Sequence, residues 1–233
     1  MKKIQNALFS LLFCLLLLFP LGTLAAACFG YTLTLCHYKA CGLGLAGIFL
    51  LCVGLSLKED SHPRKGCAVL TSLLPPLTLI NGALYFYGSP SPVGMVSMAV
   101  CLGCSIVLQQ KRGYKGPLNV MSLFLTGLLA LLLLFFTFFW GIFGQLSQGT
   151  VVQTIPSPHG EYTAQVVSRD QGAMGGNTLV FVYETKSVNA FLFTIDKKPK
   201  QVYTGPWLEY EKMDIYWKDE TCLVIHSQEI SLP

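Results

Sequence analysis

The chain has 233 residues, 52% of them hydrophobic and only 12% charged, with a mean hydropathy of +0.54 and a net charge of +4. That balance excludes an ordinary soluble globular domain and points to a membrane protein. The charge is unevenly spread: residues 1–148 carry nine Lys/Arg and two acids (+7), whereas residues 149–233 carry seven Lys/Arg and ten acids (−3). Basic residues that only flank apolar runs are not the clustered face a polyanion requires, so no nucleic-acid partner is expected.

Crossing a hydrocarbon core takes about 20 helical residues. Five charge-free apolar runs approach or exceed that length: Ala7–Cys28, Cys41–Leu57, Cys67–Gly88, Val93–Gln109 and Leu118–Gln148. The first, with Lys2-Lys3 before it and Ala25-Ala26-Ala27 before Cys28, also fits a cleavable signal peptide or a lipoprotein processing site. It is read here as an uncleaved span. Pro75-Pro76 should kink the third, and the fifth is long enough that a polar stalk is expected from about Gly144.

The connecting loops alternate in charge. Lys2 and Lys3, then Lys58, Arg64 and Lys65, then Lys111, Arg112 and Lys115 fall on one side of the membrane; only Lys39, in the loop 29–40, falls on the other. Positive loops stay in the cytoplasm. The N-terminus is therefore expected inside, and everything after the fifth span outside, in a multi-pass protein of the plasma membrane.

No Asp, Glu, Lys, Arg or His lies within the five runs. Proton relays and coupled transport depend on such groups, so a pump or secondary transporter is not expected. Asn81, Asn119, Thr71, Thr78, Ser97, Ser105 and Thr126 read as interhelical hydrogen-bonding or interface residues. Cys14, Cys52, Cys101 and Cys104 read as small packing residues rather than a redox or metal motif. Near the outer face a Cys36–Cys41 or Cys28–Cys41 disulfide is open, and Cys222 reads as a buried hydrophobe.

Residues 149–233 change register. Ser157-Pro158-His159-Gly160 is a turn with Gly160 at a positive-φ position. Strands are expected around Tyr162–Val167, Leu179–Tyr183, Phe191–Ile195, Lys200–Tyr203, Met213–Trp217 and Cys222–His226, with a Gly-rich loop over Gln171–Asn177. The fold class is thus a membrane protein with an α-helical bundle of five transmembrane helices (1–148) followed by a small all-β, antiparallel, sandwich-like extracytoplasmic domain (149–233). Tyr162, Phe181, Phe191, Phe193, Trp207 and Trp217 are expected to supply its aromatic core.

Two stretches, SPHGEYTAQVVSRDQGAMGGNTLVFV and VYTGPWLEYEKMDIYWKDETCLVIHSQEISL, resemble the outer module of an uncharacterised bacterial family of small membrane-anchored proteins. The likeness rests on a Ser-Pro-x-Gly-x-Tyr start, a Gly-rich turn before the second strand, and a Trp-x-Asp-x-Thr-x-x-Ile ending. That ending is matched by Trp217, Asp219, Thr221 and, one place further on, Ile225. The likeness spans about residues 154–232 and implies a β fold without carrying over any functional residue.

No acyl-transfer elbow, paired-His metal helix or phosphate loop joins the titratable residues, so no catalytic, cofactor or metal residues are assigned and no enzyme is expected. Arg169, Asp170 and Gln171, beside the Gly-rich loop, form the candidate ligand or partner loop, weighed against a solvated loop with a weak surface ion pair. Glu209 and Glu211 beside Trp207 read as two acids on one solvent-facing strand face. The function expected is that of an envelope protein whose partners are the lipid bilayer and a ligand or envelope protein bound by the outer domain. The alternative is an accessory subunit of a larger membrane complex or transporter.

Overall fold

The computed structural model describes residues 2–58, 65–88, 91–143, 149–172 and 175–232. Arg64, the turn residues Ser89 and Pro90, the expected stalk 144–148 and the middle of the Gly-rich loop lie outside the described residues. The chain forms two compact units: one contains Met1–Ala25 and Thr34–Phe136, the other Ala26–Leu33 and Thr137–Pro233.

The first unit is helical: α1 (Lys2–Cys28), α2 (Tyr38–Lys58), α3 (Lys65–Ser72), α4 (Leu74–Gly88), α5 (Pro92–Arg112) and α6 (Pro117–Phe143). Five stretches are long and apolar enough to cross a membrane, with α3 and α4 together making the third. That third stretch is interrupted at Leu73. The helix stops at Ser72 and restarts at Leu74, which places Pro75 and Pro76 in a first turn, where their missing N–H groups leave no bond unmade. Ser91 caps α5, its hydroxyl accepting from Gly94 N–H at 3.1 Å, ahead of Pro92 in the first turn.

The helical core joins Phe9, Leu12 and Leu16 of α1 to Phe49 and Cys52 of α2, Leu74 and Leu77 of α4, and Cys101 and Leu108 of α5. Cys52 and Cys101 pack as expected, whereas Cys14 faces outward. Asn81 donates to the carbonyls of Leu16 (2.8 Å) and Leu77 (2.9 Å), tying α4 to α1. Gln109 donates to Asn119 Oδ1 at 2.8 Å, tying α5 to α6. Thr71, Thr78, Ser97, Ser105 and Thr126 instead return their hydroxyls to carbonyls of their own helices. In their most apolar 18 residues α1 and α6 are each 11% buried, against 44% for the third stretch, so most of their surface faces away from the other helices.

The second unit is antiparallel β: β1 (Tyr31–Leu35), β2 (Gly149–Pro156), β3 (Tyr162–Asp170), β4 (Gly176–Glu184), β5 (Val188–Ala190), β6 (Phe193–Lys197), β7 (Lys200–Pro206), β8 (Ile215–Trp217), β9 (Cys222–Ile225) and β10 (Gln228–Ser231). The strands order as β2-β3-β4-β7, β10-β9-β8 and β1-β6-β5. Ala164 and Val166 of β3 with Val180 and Val182 of β4 pack on Ile215 of β8 and Leu223 and Ile225 of β9, the interior of a sandwich.

Several expectations are corrected. β1 lies within the expected loop 29–40 and joins β6: Thr32 Oγ1 donates to Asp196 O at 3.2 Å, and Lys198 N–H donates to Gly30 O at 3.0 Å. β2 is an additional strand, bulged between Val151 and Gln153. The strand expected at Phe191–Ile195 begins at Phe193, because Ala190 pairs with Phe193 and leaves Phe191-Leu192 as the turn. Of the six expected core aromatics Tyr162 and Trp217 pack on the β core, while Phe181 and Phe193 are half-buried outside that cluster, Phe191 is 94% exposed and Trp207 47%.

Candidate functional site

The turn after β2 forms as its sequence requires. Gly160 takes φ +76, its N–H donates to Ser157 O at 3.0 Å, and Ser157 N–H donates to Tyr162 O at 2.9 Å. Across the sandwich, Thr221 N–H and hydroxyl donate to Asp219 Oδ1 in the β8–β9 turn, which carries Glu220 into the first turn. There the Glu220 carboxylate accepts from the Ser157 hydroxyl, from His159 N–H (2.6 Å) and from Glu161 N–H (2.8 Å), and it meets the His159 ring at 3.2 Å. Desolvation alone would push this acid up; the converging donors outweigh it and hold it at about 2, against an ordinary 4.5. Two of the three sequence signatures of the β region, its start and its ending, therefore meet in one structural clasp.

A depressed carboxyl stabilises the fold above its unfolded pKa and loses that contribution as pH falls through the folded one. The β unit should accordingly weaken between about pH 4.5 and 2. Glu220→Gln should be less stable than the parent at neutral pH, with the gap closing across that window, as thermal melts at stepped pH would register. A pH-independent gap would remove the carboxylate from this role.

The candidate loop sits at the far end of the same sheet. Asp170 closes β3, and its carboxylate accepts from Gly172 N–H at 2.8 Å; Gln171 N–H donates to Gly175 O at 2.7 Å. Gly172 and Gly175 have φ +64 and +88, conformations that favour glycine. Arg169 lies in the ladder between Gly149 of β2 and Asn177 of β4. Arg169 Nε and Asn177 Oδ1, on directly paired residues, are both buried and without a hydrogen-bond partner. Asp170 is exposed and Gln171 half-buried. The structure brings Arg169 and Asp170 to one rim but gives them no ion pair.

Trp207 completes that rim. Its indole overlies Gly176, next to Asn177 and paired with Asp170; a Cβ at Gly176 would stand 2.6 Å from Trp207 Cδ1 and 2.5 Å from Arg169 O. The following Leu208 holds a left-handed φ of +63, uncommon for a leucine, and is 40% exposed. An indole half open to solvent over a glycine, at the rim that also carries Asp170, suits a ligand with an apolar face.

Glu209-Tyr210-Glu211 is a 3-10 turn rather than a strand, which corrects the reading of two acids on one face. Glu211 stays exposed while Glu209 turns inward, accepting from Tyr203 OH at 3.1 Å and standing 3.4 Å from His226 Nε2. Burial first, and the bond to Glu209 second, raise the Tyr203 phenol. Gly205 makes room for this knot, since a Cβ there would lie 1.6 Å from Glu209 Oε2. No local motif in the sequence links Tyr203, Glu209 and His226; only the packing of β7 and β9 joins them. Among the described residues no three His, Cys, Asp or Glu side chains gather as a metal site.

In the helical unit, a mostly apolar cavity of about 190 Å³ opens among α4, α5 and α6, lined by Thr78, Gly82, Tyr85, Gly94, Met98 and Leu133 among others. Cys36 is exposed just before α2, and Cys41 is half-buried in its first turn.

No family model matches the chain, and neither does any curated protein or solved structure.

Proposed function

We propose that the protein is a multi-pass plasma-membrane protein of a bacterial envelope, in which the helical unit anchors the β unit outside the cytoplasm and the β unit binds or senses a ligand or protein partner through its Trp207 rim. The alternating loop charges support the orientation. The pairing of β1 with β6 supports a common side for the segment 29–40 and the β unit: the two strands are separated in the chain by four membrane-length stretches, an even number of crossings, which returns the chain to the same face. One observation carries the binding reading: the half-exposed Trp207 indole lies on Gly176, at the end of the sheet that carries Arg169 and Asp170.

Capture experiments with the tagged full-length chain in mild detergent, set against Trp207→Ala and Arg169→Gln, test it. A saturable envelope component retained by the parent and weakened at least tenfold by either folded variant, about 1.4 kcal/mol of binding energy, is the expected outcome. Equal retention by all three chains would remove the rim from the account. A second reading, an accessory subunit of a larger complex, draws on α6, where Phe124 is 73% and Leu131 65% exposed. Under it, capture survives the rim substitutions and fails with Phe124→Ala plus Leu131→Ala. We also propose a Cys36–Cys41 or Cys28–Cys41 bridge, which alkylation with and without reductant, followed by mass measurement, would detect.

A further inference from the structure

The hairpin β5–β6 turns through Phe191 and Leu192, and Phe191, with φ +46, occupies a turn position usually given to Asn, Asp or Gly. Its ring is 94% exposed, and Val188 on the neighbouring strand is 62% exposed. A β unit surrounded only by water gains nothing from an apolar tip held in that conformation. The same hairpin is joined edge to edge with β1, in the order β1-β6-β5.

β1 is tethered at both ends. Only Phe29 and Gly30 separate it from α1, and only Cys36 and His37 separate it from α2. With at most about 3.6 Å of reach per residue, neither end of the strand can stand more than roughly 11 Å from the end of a membrane-length helix. Strand spacing then places β6 about 5 Å and β5 about 10 Å to the side of β1. Thr32 bonded to Asp196 and Lys198 to Gly30 show that β1 and β6 run in opposite directions. The Lys198 end of the ribbon therefore lies beside Gly30, and the Phe191 turn lies at the Leu35 end of β1. Phe29, 80% exposed, and Tyr31, 41% exposed, add aromatic surface at the α1 end, where Lys198 and Lys200 are exposed as well.

We infer that the β1–β6–β5 ribbon lies flat on the outer surface of the bilayer that holds the spans, with the Phe191 ring sunk among the lipid headgroups. Aromatic residues at the interface and cationic residues facing phosphate are what that layer selects, and it is only about 5–8 Å deep on each side, within reach of a ribbon tethered so closely. The inference rests on the membrane reading above and adds a second, direct contact between the β unit and lipid.

The test uses the full chain in nanodiscs with Phe191→Trp, recording the emission added relative to the parent. The expected result is blue-shifted added emission, quenched mainly by lipids brominated near the headgroup and shielded from aqueous iodide. Val188→Trp, read in the same way, guards against misfolding of the first variant. Added emission in both variants that iodide quenches and brominated lipid does not would overturn the inference. Trp140, within α6, separates the two failures. Brominated lipid must quench the parent's own emission if the chain is inserted, and its failure to do so would sink the membrane reading together with this one.

Discussion

Trp217→Ala should collapse the β unit while leaving the helical unit intact. The indole N–H donates to Ile155 O at 3.1 Å, and the ring stacks on Tyr162 with centroids 6.3 Å apart, so one side chain ties β8 to both β2 and β3. Truncating a large aromatic to Ala costs about 3–5 kcal/mol, against a typical domain stability of about 5–15 kcal/mol. Near-ultraviolet circular dichroism and limited proteolysis of the full chain in detergent should show the β unit open at temperatures where the parent is closed. Trp217→Phe, which keeps most of the packing and loses the donor, should cost about 1 kcal/mol for the bond together with a smaller packing loss. Parental behaviour of the Ala variant would mean that the sandwich closes without this side chain.

Gly176→Ala should strain the sheet and dislodge Trp207 together. A Cβ there meets Arg169 O at 2.5 Å on one side and the indole on the other, and Arg169 O belongs to the backbone of the neighbouring strand. Overpacking of this kind costs about 1–3 kcal/mol, and the indole is the easier of the two neighbours to move. A lower melting midpoint together with a red shift in tryptophan emission is the expected pair of results. Unchanged emission with parental stability would show that Trp207 does not rest on this glycine.

The helices were legible because their length and uniform apolarity stand in the sequence itself, and the five charge-free runs needed no tertiary information. Where the third run breaks was less legible: Pro75-Pro76 announces a disturbance, but its placement at Leu73 follows from seating both prolines in a first turn. β3 and β4 showed themselves through alternation and a glycine turn. β1 did not, because the residues that complete its pairing lie 164 positions away and its setting between two apolar runs reads as a loop. β2 is exposed along most of its length and carries little pattern.

At the candidate site, Arg169 and Asp170 could be found from the adjacent glycines. Trp207 could not, since an aromatic in a β region reads as core until the fold shows otherwise. The Glu220 clasp was equally hidden: its acceptor comes from one turn and its donors from another about 60 residues earlier in the chain.

The central claim is that the spans hold the β unit outside the cytoplasm, and paired topology reporters test it most directly. One fusion is placed after Lys115, in the basic loop between α5 and α6, and the other at the C-terminus. The account predicts a cytoplasmic reading after Lys115 and an outside reading at the C-terminus. A cytoplasmic C-terminus, or both reporters on one side, would contradict it.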